Sequence, residues 1–288
     1  MNTKKFTTKD FNKLYPDDNA CLDEIFKNRY SSLEICPECN KKTKFYRVKD
    51  RKCYACQYCG YQISPLADTI FHKSSTSLRD WFYSIYLFSV SKNGVSAKEL
   101  ERQLGVTYKC AWRIAKQIRL LFNQNKKLLS DIIEIDETYI GGKHKGKRVR
   151  GSENKTAVIG LAQKKGMLKT KVVANTNSNT IKSIVRNNVQ FDVDIITDEY
   201  RSYNILKKMG YKHNTINHSE EQGVNGINHV NTIEGFWSQL KRFINGTFHC
   251  VSPKYLQSYV DEFVYRYNHR LSSLSIFQKL VLMVVKRV

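Results

Sequence analysis

Two pairs of cysteines near the start of the sequence have the spacing of metal ligands. Cys36 and Cys39 are separated by two residues, as are Cys56 and Cys59, and sixteen residues lie between the pairs. Two intervening residues let one tight turn present both sulfur atoms to a single ion, and four thiolates complete the tetrahedral shell of a structural Zn²⁺ site. The spacing therefore predicts a zinc ribbon whose metal has no catalytic role.

An alternative second pair stays open in the same segment. Cys53 stands three positions before Cys56, so these two cysteines also have two residues between them. Gly60, directly after Cys59, supplies the backbone freedom that such a turn often needs. This glycine favours Cys56 with Cys59.

Three acidic residues have settings that could hold a different metal. Asp136 lies in a β-rich segment, where a carboxylate is costly unless it has a partner. Asp198 follows an apolar strand, and Glu234 lies in the first turns of a predicted helix. Each has a local explanation, because an aspartate can begin a turn and an early glutamate complements the helix dipole. Carboxylates are also the ligands that Mg²⁺ requires, so the three are candidates for a catalytic metal site.

The charge of the chain points to a polyanionic partner. Lys and Arg total 48 against 26 Asp and Glu, a formal net charge of +22. Such an excess attracts phosphate backbones at long range. An acidic lipid or protein is the alternative, but no basic amphipathic stretch with a membrane-inserting face stands out. We predict a nucleic-acid-binding protein that is neither exported nor embedded in a membrane.

The elements that must position these residues follow from changes of pattern along the chain. We expect a helical lead-in over 1–32, the zinc ribbon over 33–75, helices over 76–125 and a core of strands and helices over 128–288. Predicted strands cover 132–140, 156–163, 169–174 and 193–197, with a helix over 180–188 and helices from 230 onward. Strands followed by helix, strand and further helices describe an α/β layer domain.

Residues 95–122 have the pattern of a helix-turn-helix. Ser96 has capping-box spacing to Glu99, Gly105 breaks the helical run, and Thr107 can cap a second helix. Arg119 is predicted to lie on an outer side of that second helix. The cations there that we predict to contact DNA are Lys109, Arg113 and Lys116.

Two further basic segments lie close in sequence to the acidic candidates. Residues 143–150 form a predicted hairpin with five cations and no acid, either a solvated loop or a DNA-gripping one. Lys241 and Arg242 follow Glu234 by about two helical turns, and Lys241 shares its face. Predicted phosphate contacts are Lys143, Lys145, Lys147, Arg148, Arg150, Lys241 and Arg242.

Several segments resemble the Merlin-related bacterial insertion-sequence transposases, and the resemblance covers nearly the whole chain in the family's order. Asn268-His269-Arg270, where Asn-Arg-Arg is expected, and Glu199 are departures that remove no ligand. The segments that carry the resemblance are Glu134–Thr138, Ile196–Tyr200, His229–Ser238, Leu240–Arg242, Cys56–Gln62 and Thr69–His72.

The resemblance implies a particular core and site. The family has a ribonuclease-H-like domain, a mixed sheet flanked by helices, with an Asp-Asp-Glu triad that maps onto Asp136, Asp198 and Glu234. The triad implies two catalytic Mg²⁺ or Mn²⁺ ions beside the structural Zn²⁺. Some relatives use the residue at the Asn231 position or at the Lys241 position as part of their signature. Asn231 is therefore also a predicted DNA contact.

The implied activity is that of a DNA transposase in the bacterial cytoplasm, associated with the nucleoid. It would bind the terminal inverted repeats of an insertion sequence and catalyse metal-dependent cleavage and strand transfer on double-stranded DNA, as a homodimer. The main alternative is a non-catalytic DNA-binding regulator, or a domesticated copy that uses only the first 125 residues. A tyrosine recombinase and a plain structure-specific nuclease are the others.

Overall fold

The computed structural model describes residues 6–122, 126–141, 155–164, 166–216, 231–272 and 275–285. The chain forms two compact units, one made of residues 1–121 with 272–288 and the other of residues 122–271. Within the described ranges, no helix combines the length and the apolar character needed to cross a bilayer.

The first unit combines a small antiparallel sheet with helices whose ends are capped as the sequence predicts. Ser96 and Thr107 accept hydrogen bonds from backbone N–H groups of the helices that they precede, and Gly105 takes the left-handed conformation between those helices (φ +65°). The elements are α1 (Thr8–Leu14), α2 (Asp18–Tyr30), β1 (Phe45–Arg47), β2 (Tyr54–Cys56), β3 (Gln62–Ile63), α3 (Leu78–Val90), α4 (Ala97–Leu104) and α5 (Tyr108–Arg119).

The second unit is built on a five-stranded mixed sheet. The strand order is β6-β5-β4-β7-β8, in which β4, β5 and β6 pair antiparallel while β7 and β8 run parallel to β4. The expected ribonuclease-H-like class, a mixed sheet flanked by helices, is confirmed. The elements are β4 (Ile132–Gly141), β5 (Lys155–Gln163), β6 (Leu168–Val173), α6 (Ser178–Asn188), β7 (Asp194–Thr197), α7 (Ile205–Lys208), β8 (Lys212–Thr215), α8 (Asn231–Phe243) and α9 (Pro253–Asn268).

The two faces of the sheet bury different clusters. Along β4, Ile133 and Ile135 pack with α6 and its neighbours, whereas Ile140 packs with α8 and α9. Successive side chains of a strand point to opposite faces. Glu134 and Asp136 therefore lie on the face that carries α8.

Helix α9 closes the free edge of the sheet at β6. Asn268 accepts a hydrogen bond from the Leu168 N–H at 2.8 Å and donates one to the Leu168 carbonyl at 2.9 Å, while Gln257 accepts one from the Val172 N–H. An edge strand otherwise exposes unpaired backbone groups. The asparagine of the Asn268-His269-Arg270 segment thus has a structural role.

One predicted boundary is wrong, because the last helix does not belong to the core. α10 (Ile276–Val285) lies in the first unit, where Phe277 stacks on Phe6 at 4.7 Å between ring centroids. It also contacts Phe11, Tyr15 and Tyr86. The helix is strongly apolar and needs an apolar partner, and this aromatic cluster provides one. The expected core over 128–288 therefore ends near 271, while the other boundaries stay predictions.

Candidate functional site

The four predicted zinc ligands form one cluster. Their sulfur atoms all lie within 4.8 Å of one another, with Cys36 and Cys59 at 3.6 Å and Cys39 and Cys56 at 3.8 Å. Tetrahedral Zn–S bonds of about 2.3 Å separate two sulfurs by about 3.8 Å, so the cluster fits Zn²⁺. Cys53 lies outside it and donates a hydrogen bond to Gln62 at 3.5 Å.

Both cysteine turns close in the same way. The Asn40 N–H donates to the Cys36 carbonyl at 2.9 Å, and the Gly60 N–H donates to the Cys56 carbonyl at 3.1 Å. Asn40 and Gly60 both have positive φ angles, +54° and +74°. The glycine that favoured Cys56 with Cys59 in the sequence therefore occupies a position where a left-handed backbone closes the turn.

Two of the acidic candidates come from neighbouring parallel strands, Asp136 from β4 and Asp198 from the position directly after β7. In the register of β4 and β7, Glu134 is opposite Ile196, and each of the two acids follows its registered residue by two positions. Burial, together with the nearby Glu137 and Asp198, raises the pKa of Asp136 to about 6, although hydrogen bonds from the Glu137 backbone and the Trp237 indole oppose the rise. The sheet thus places two carboxylates where their negative charges repel each other.

The turn after β7 holds Asp198 in place. The Tyr200 N–H donates to the Asp198 carboxylate at 3.0 Å, and the buried Thr197 hydroxyl donates to the Asp198 carbonyl at 2.7 Å. That hydroxyl also lies 2.8 Å from the His213 ring on β8. Asp198 is therefore supported by the strand beside it as well as by its own turn.

The third acidic candidate lies on a helix that is bonded directly to β4. The Trp237 indole N–H donates to Asp136 Oδ2 at 2.9 Å. Glu234 precedes Trp237 by three residues, about one helical turn, and its side chain is exposed. The contact brings the segment that carries Glu234 to the β4 position that carries Asp136.

A glycine on β5 makes room for this contact. Gly160 is opposite Asp136 in the β4–β5 register. A Cβ atom on Gly160 would lie 2.6 Å from Trp237 Cζ2 and 2.9 Å from Ile233 Cδ1, closer than real Cβ atoms approach. The indole therefore occupies the space that a side chain at Gly160 would fill.

The three acids do not form a closed cage. Of all His, Cys, Asp and Glu in the described part of the chain, only the four cysteines form a group of three or more with every ligand atom within 4.8 Å of the others. Asp136, Asp198 and Glu234 thus lie on elements that meet, but with wider spacing.

The predicted DNA contacts fall into different settings. Lys109 and Lys116 on α5, and Lys241 and Arg242 on α8, are exposed. Of the remaining predicted contacts, Asn231 begins α8 and its side chain lies outside the described part. The basic loop also lies outside the described residues, and it comprises Lys143, Lys145, Lys147, Arg148 and Arg150.

Two arginines of α5 bond within the first unit. Arg113 is partly buried, donates to the Ser74 hydroxyl at 3.0 Å and lies over the Trp81 ring. The prediction of Arg119 on an outer side is wrong, since it is buried and donates to the Val95 carbonyl at 2.8 Å.

Three residues around Asp136 were missed by the sequence reasoning, namely Glu134, Gly160 and Trp237. A local signal existed for two of them. Glu134 precedes Asp136 by two residues and so shares its face of the strand, while Trp237 is one helical turn from Glu234. Nothing local distinguishes Gly160.

The chain matches known sequences over most of its length. Residues 128–268 match the ISXO2-like transposase domain, and residues 16–62 match the transposase zinc-ribbon domain. An uncharacterized transposase-like protein of Haemophilus influenzae is 34% identical over 114 residues, 39% of this chain and 91% of that protein. An uncharacterized protein in transposable element ISH50 of Halobacterium salinarum is 25% identical over 256 residues, 81% of this chain and 85% of that protein.

Among solved structures, the catalytic core domain of BIV integrase matches with a TM-score of 0.29 and 16% identity, covering 47% of this chain and 82% of that one. The sequence matches place the chain among the transposases. It belongs to the family whose members carry an ISXO2-like transposase domain, here preceded by a transposase zinc ribbon, and the resemblance to insertion-sequence transposases is confirmed.

Proposed function

We propose that this transposase binds the terminal inverted repeats of its insertion sequence and carries out metal-dependent strand cleavage and strand transfer. Asp136, Asp198 and Glu234 are the proposed ligands of the catalytic Mg²⁺ or Mn²⁺ ions. The observation that carries the proposal is the meeting of three elements. Asp136 lies on β4, Asp198 directly follows the adjacent β7, and Trp237 joins Asp136 to the helix turn that carries Glu234.

A divalent cation fits Asp136 because the setting of this carboxylate disfavours its ionised form. Burial and neighbouring acids raise the pKa of Asp136 to about 6. A carboxylate must be ionised to bind a metal, so a bound cation would favour the form that this setting disfavours. Divalent cations bound there would supply charge stabilisation and an activated oxygen nucleophile for phosphoryl transfer. Trp237 and the Tyr200 N–H hold the two aspartates, and no protein nucleophile is required.

DNA binding is assigned to the exposed cations. Lys109 and Lys116 on α5 are the proposed contacts of the helix-turn-helix, with Arg113 supporting the helix through Ser74. The proposed phosphate contacts beside the reaction are Asn231, Lys241, Arg242, Lys143, Lys145, Lys147, Arg148 and Arg150. Since two transposon ends must be cut in concert, we propose a homodimer acting on double-stranded DNA in the bacterial nucleoid.

The alternative of a domesticated copy that uses only its first 125 residues conflicts with the packing of the first unit. A protein that uses only its first 125 residues would lack α10, and Phe277 with it. Phe11, Tyr15 and Tyr86 would then lose the ring that packs against all three of them. The folded state of the first unit therefore favours a chain that retains its C-terminal half.

The proposal is tested by an isosteric Asp136→Asn change in the full chain. We expect cleavage of DNA bearing the element's ends to fall at least about 1000-fold, because a metal ligand contributes several kcal/mol to transition-state stabilisation. Binding of the same DNA should be unchanged in a gel-shift assay. Asp131→Asn, an exposed acid just before β4, is the matched control and should cleave normally. Full cleavage by Asp136→Asn would remove Asp136 from the mechanism.

A further inference from the structure

Glu134 is a buried acid that the proposed metal site does not include. Its side chain is 1% exposed, and burial raises its pKa. Burying a carboxylate is costly unless hydrogen bonds satisfy it. Two donors do so, since the Thr232 hydroxyl donates to one oxygen at 2.9 Å and the Ile233 N–H donates to the other at 3.0 Å.

Both donors belong to the first turn of α8. The first N–H groups of a helix have no partner within the helix, and the helix dipole makes this end favourable for a negative charge. A residue of the helix itself usually provides the cap. Here Glu134 provides a carboxylate from β4, 98 residues earlier in the sequence than Thr232.

Two contacts from one strand therefore bracket Glu234. The Glu134 carboxylate bonds the residues just before it, and the Asp136 carboxylate bonds Trp237 one turn after it. Glu134 and Asp136 lie on the same face of β4 and are two residues apart. Two points of attachment fix both the height of α8 along the strand and its rotation about its own axis.

We infer that Glu134 is a positioning residue of the metal site, which sets the place of Glu234 relative to Asp136 by capping α8. The inference rests on the proposed function of the three acids. A plain structural cap would change stability and leave metal affinity unaltered. A positioning residue changes the metal affinity of a protein that is still folded.

The test removes the contact from the helix side, so that the acidic strand stays intact. Thr232→Val has the same shape without the hydroxyl, and Thr232→Ser keeps the hydroxyl. We expect Thr232→Val to raise the Mg²⁺ concentration for half-maximal cleavage by about tenfold, the effect of one lost hydrogen bond to a charged group. Thr232→Ser should restore the wild-type value, and Glu134→Gln should resemble Thr232→Val.

Binding of Mn²⁺ to the zinc-loaded full chain, measured by calorimetry, provides the readout that does not depend on cleavage. The signal that is lost in Asp136→Asn identifies the site. Weaker Mn²⁺ binding in Thr232→Val than in Thr232→Ser supports the inference, whether or not the wild type cleaves DNA. Failure of the wild type to cleave would overturn only the proposed function.

Three outcomes overturn the inference. Equal metal affinity in the wild type and Thr232→Val would leave Glu134 a structural cap, while cleavage and the proposed function stand. A lower maximal cleavage rate of Thr232→Val at an unchanged half-saturating Mg²⁺ concentration would also show that Glu134 does not set metal affinity. Absence of any Asp136-dependent Mn²⁺ binding in the wild type would overturn the inference together with the metal-based function.

Discussion

The cysteine cluster in the first unit and the carboxylate region in the second, which comprises Asp136, Asp198 and Glu234, differ in how the chain brings the side chains together. The four cysteines come from one short segment, residues 36–59, and two similar turns place all their sulfur atoms within 4.8 Å. The three acids come from a strand, the turn after a second strand, and a helix, and Asp136 and Glu234 are 98 residues apart in sequence. Local turns suffice for the first site, whereas the second requires the whole sheet and α8.

This difference matches the work that each metal would do. A closed shell of four thiolates leaves no coordination position for a substrate, which suits a structural ion. The acids are spaced more widely, and burial with neighbouring acids raises the pKa of Asp136. Raised pKa values of this kind are common at functional sites.

The largest effect that would separate the two sites is loss of zinc. Cys36→Ser should release the ion and unfold the ribbon, because binding of structural zinc contributes about 10–16 kcal/mol in small zinc domains. Metal analysis should then find no zinc, while the second unit keeps its thermal transition. Cys53→Ser is the control and should keep one zinc per chain. Zinc loss in Cys53→Ser would instead favour the alternative pair.

A smaller effect is expected from filling the space between Gly160 and the Trp237 ring, beside Asp136. Gly160→Ala should lower the free energy of unfolding of the second unit by about 1–3 kcal/mol, since the new Cβ atom overlaps the Trp237 ring. Denaturant unfolding would measure the change. Gly235→Ala is the matched control at an exposed position of α8, where nothing lies within 4 Å of the new Cβ atom, and should stabilise by about 0.5–1 kcal/mol. Equal effects of the two changes would contradict the packing described for Gly160.

The smallest expected effect concerns pH and distinguishes the acids from the cysteines. The pKa of Asp136 rises from 3.8 to about 6 on folding, so its protonated form is favoured in the folded state. Its stabilising contribution is fully present below about pH 4 and is lost as the pH rises through 6. Without added divalent cations, the second unit should lose about 1–2 kcal/mol across this range, an amount discounted for partial exposure.

Thermal unfolding of the wild type and Asp136→Asn between pH 4 and pH 7 would measure this contribution. The variant cannot titrate at this position and should lack the loss. Added Mg²⁺ should restore the stability of the wild type at pH 7 and leave the variant unchanged. Parallel pH profiles for the two proteins would show that the titration of Asp136 does not change the stability of the second unit.

Features that depend on neighbouring residues were the ones that the sequence could predict. The cysteine turns and strands β4, β5, β6 and β7 follow from spacing and apolar pattern, and the structure confirms them. Strand β8 was missed because Lys212–Thr215 is polar and becomes a strand through parallel pairing with β7. Partners distant in sequence were also missed, as with Glu134 and the first turn of α8.

The position of α10 has a consequence for how the protein is made. Because this helix follows the core in sequence, a ribosome must translate the core before the first unit receives Phe277 and the rest of its last helix. A polypeptide released early, after the core alone, would carry a first unit with an incompletely filled aromatic interior. We expect such fragments to be poor competitors for transposon ends, so that occupancy of those ends reflects full-length translation.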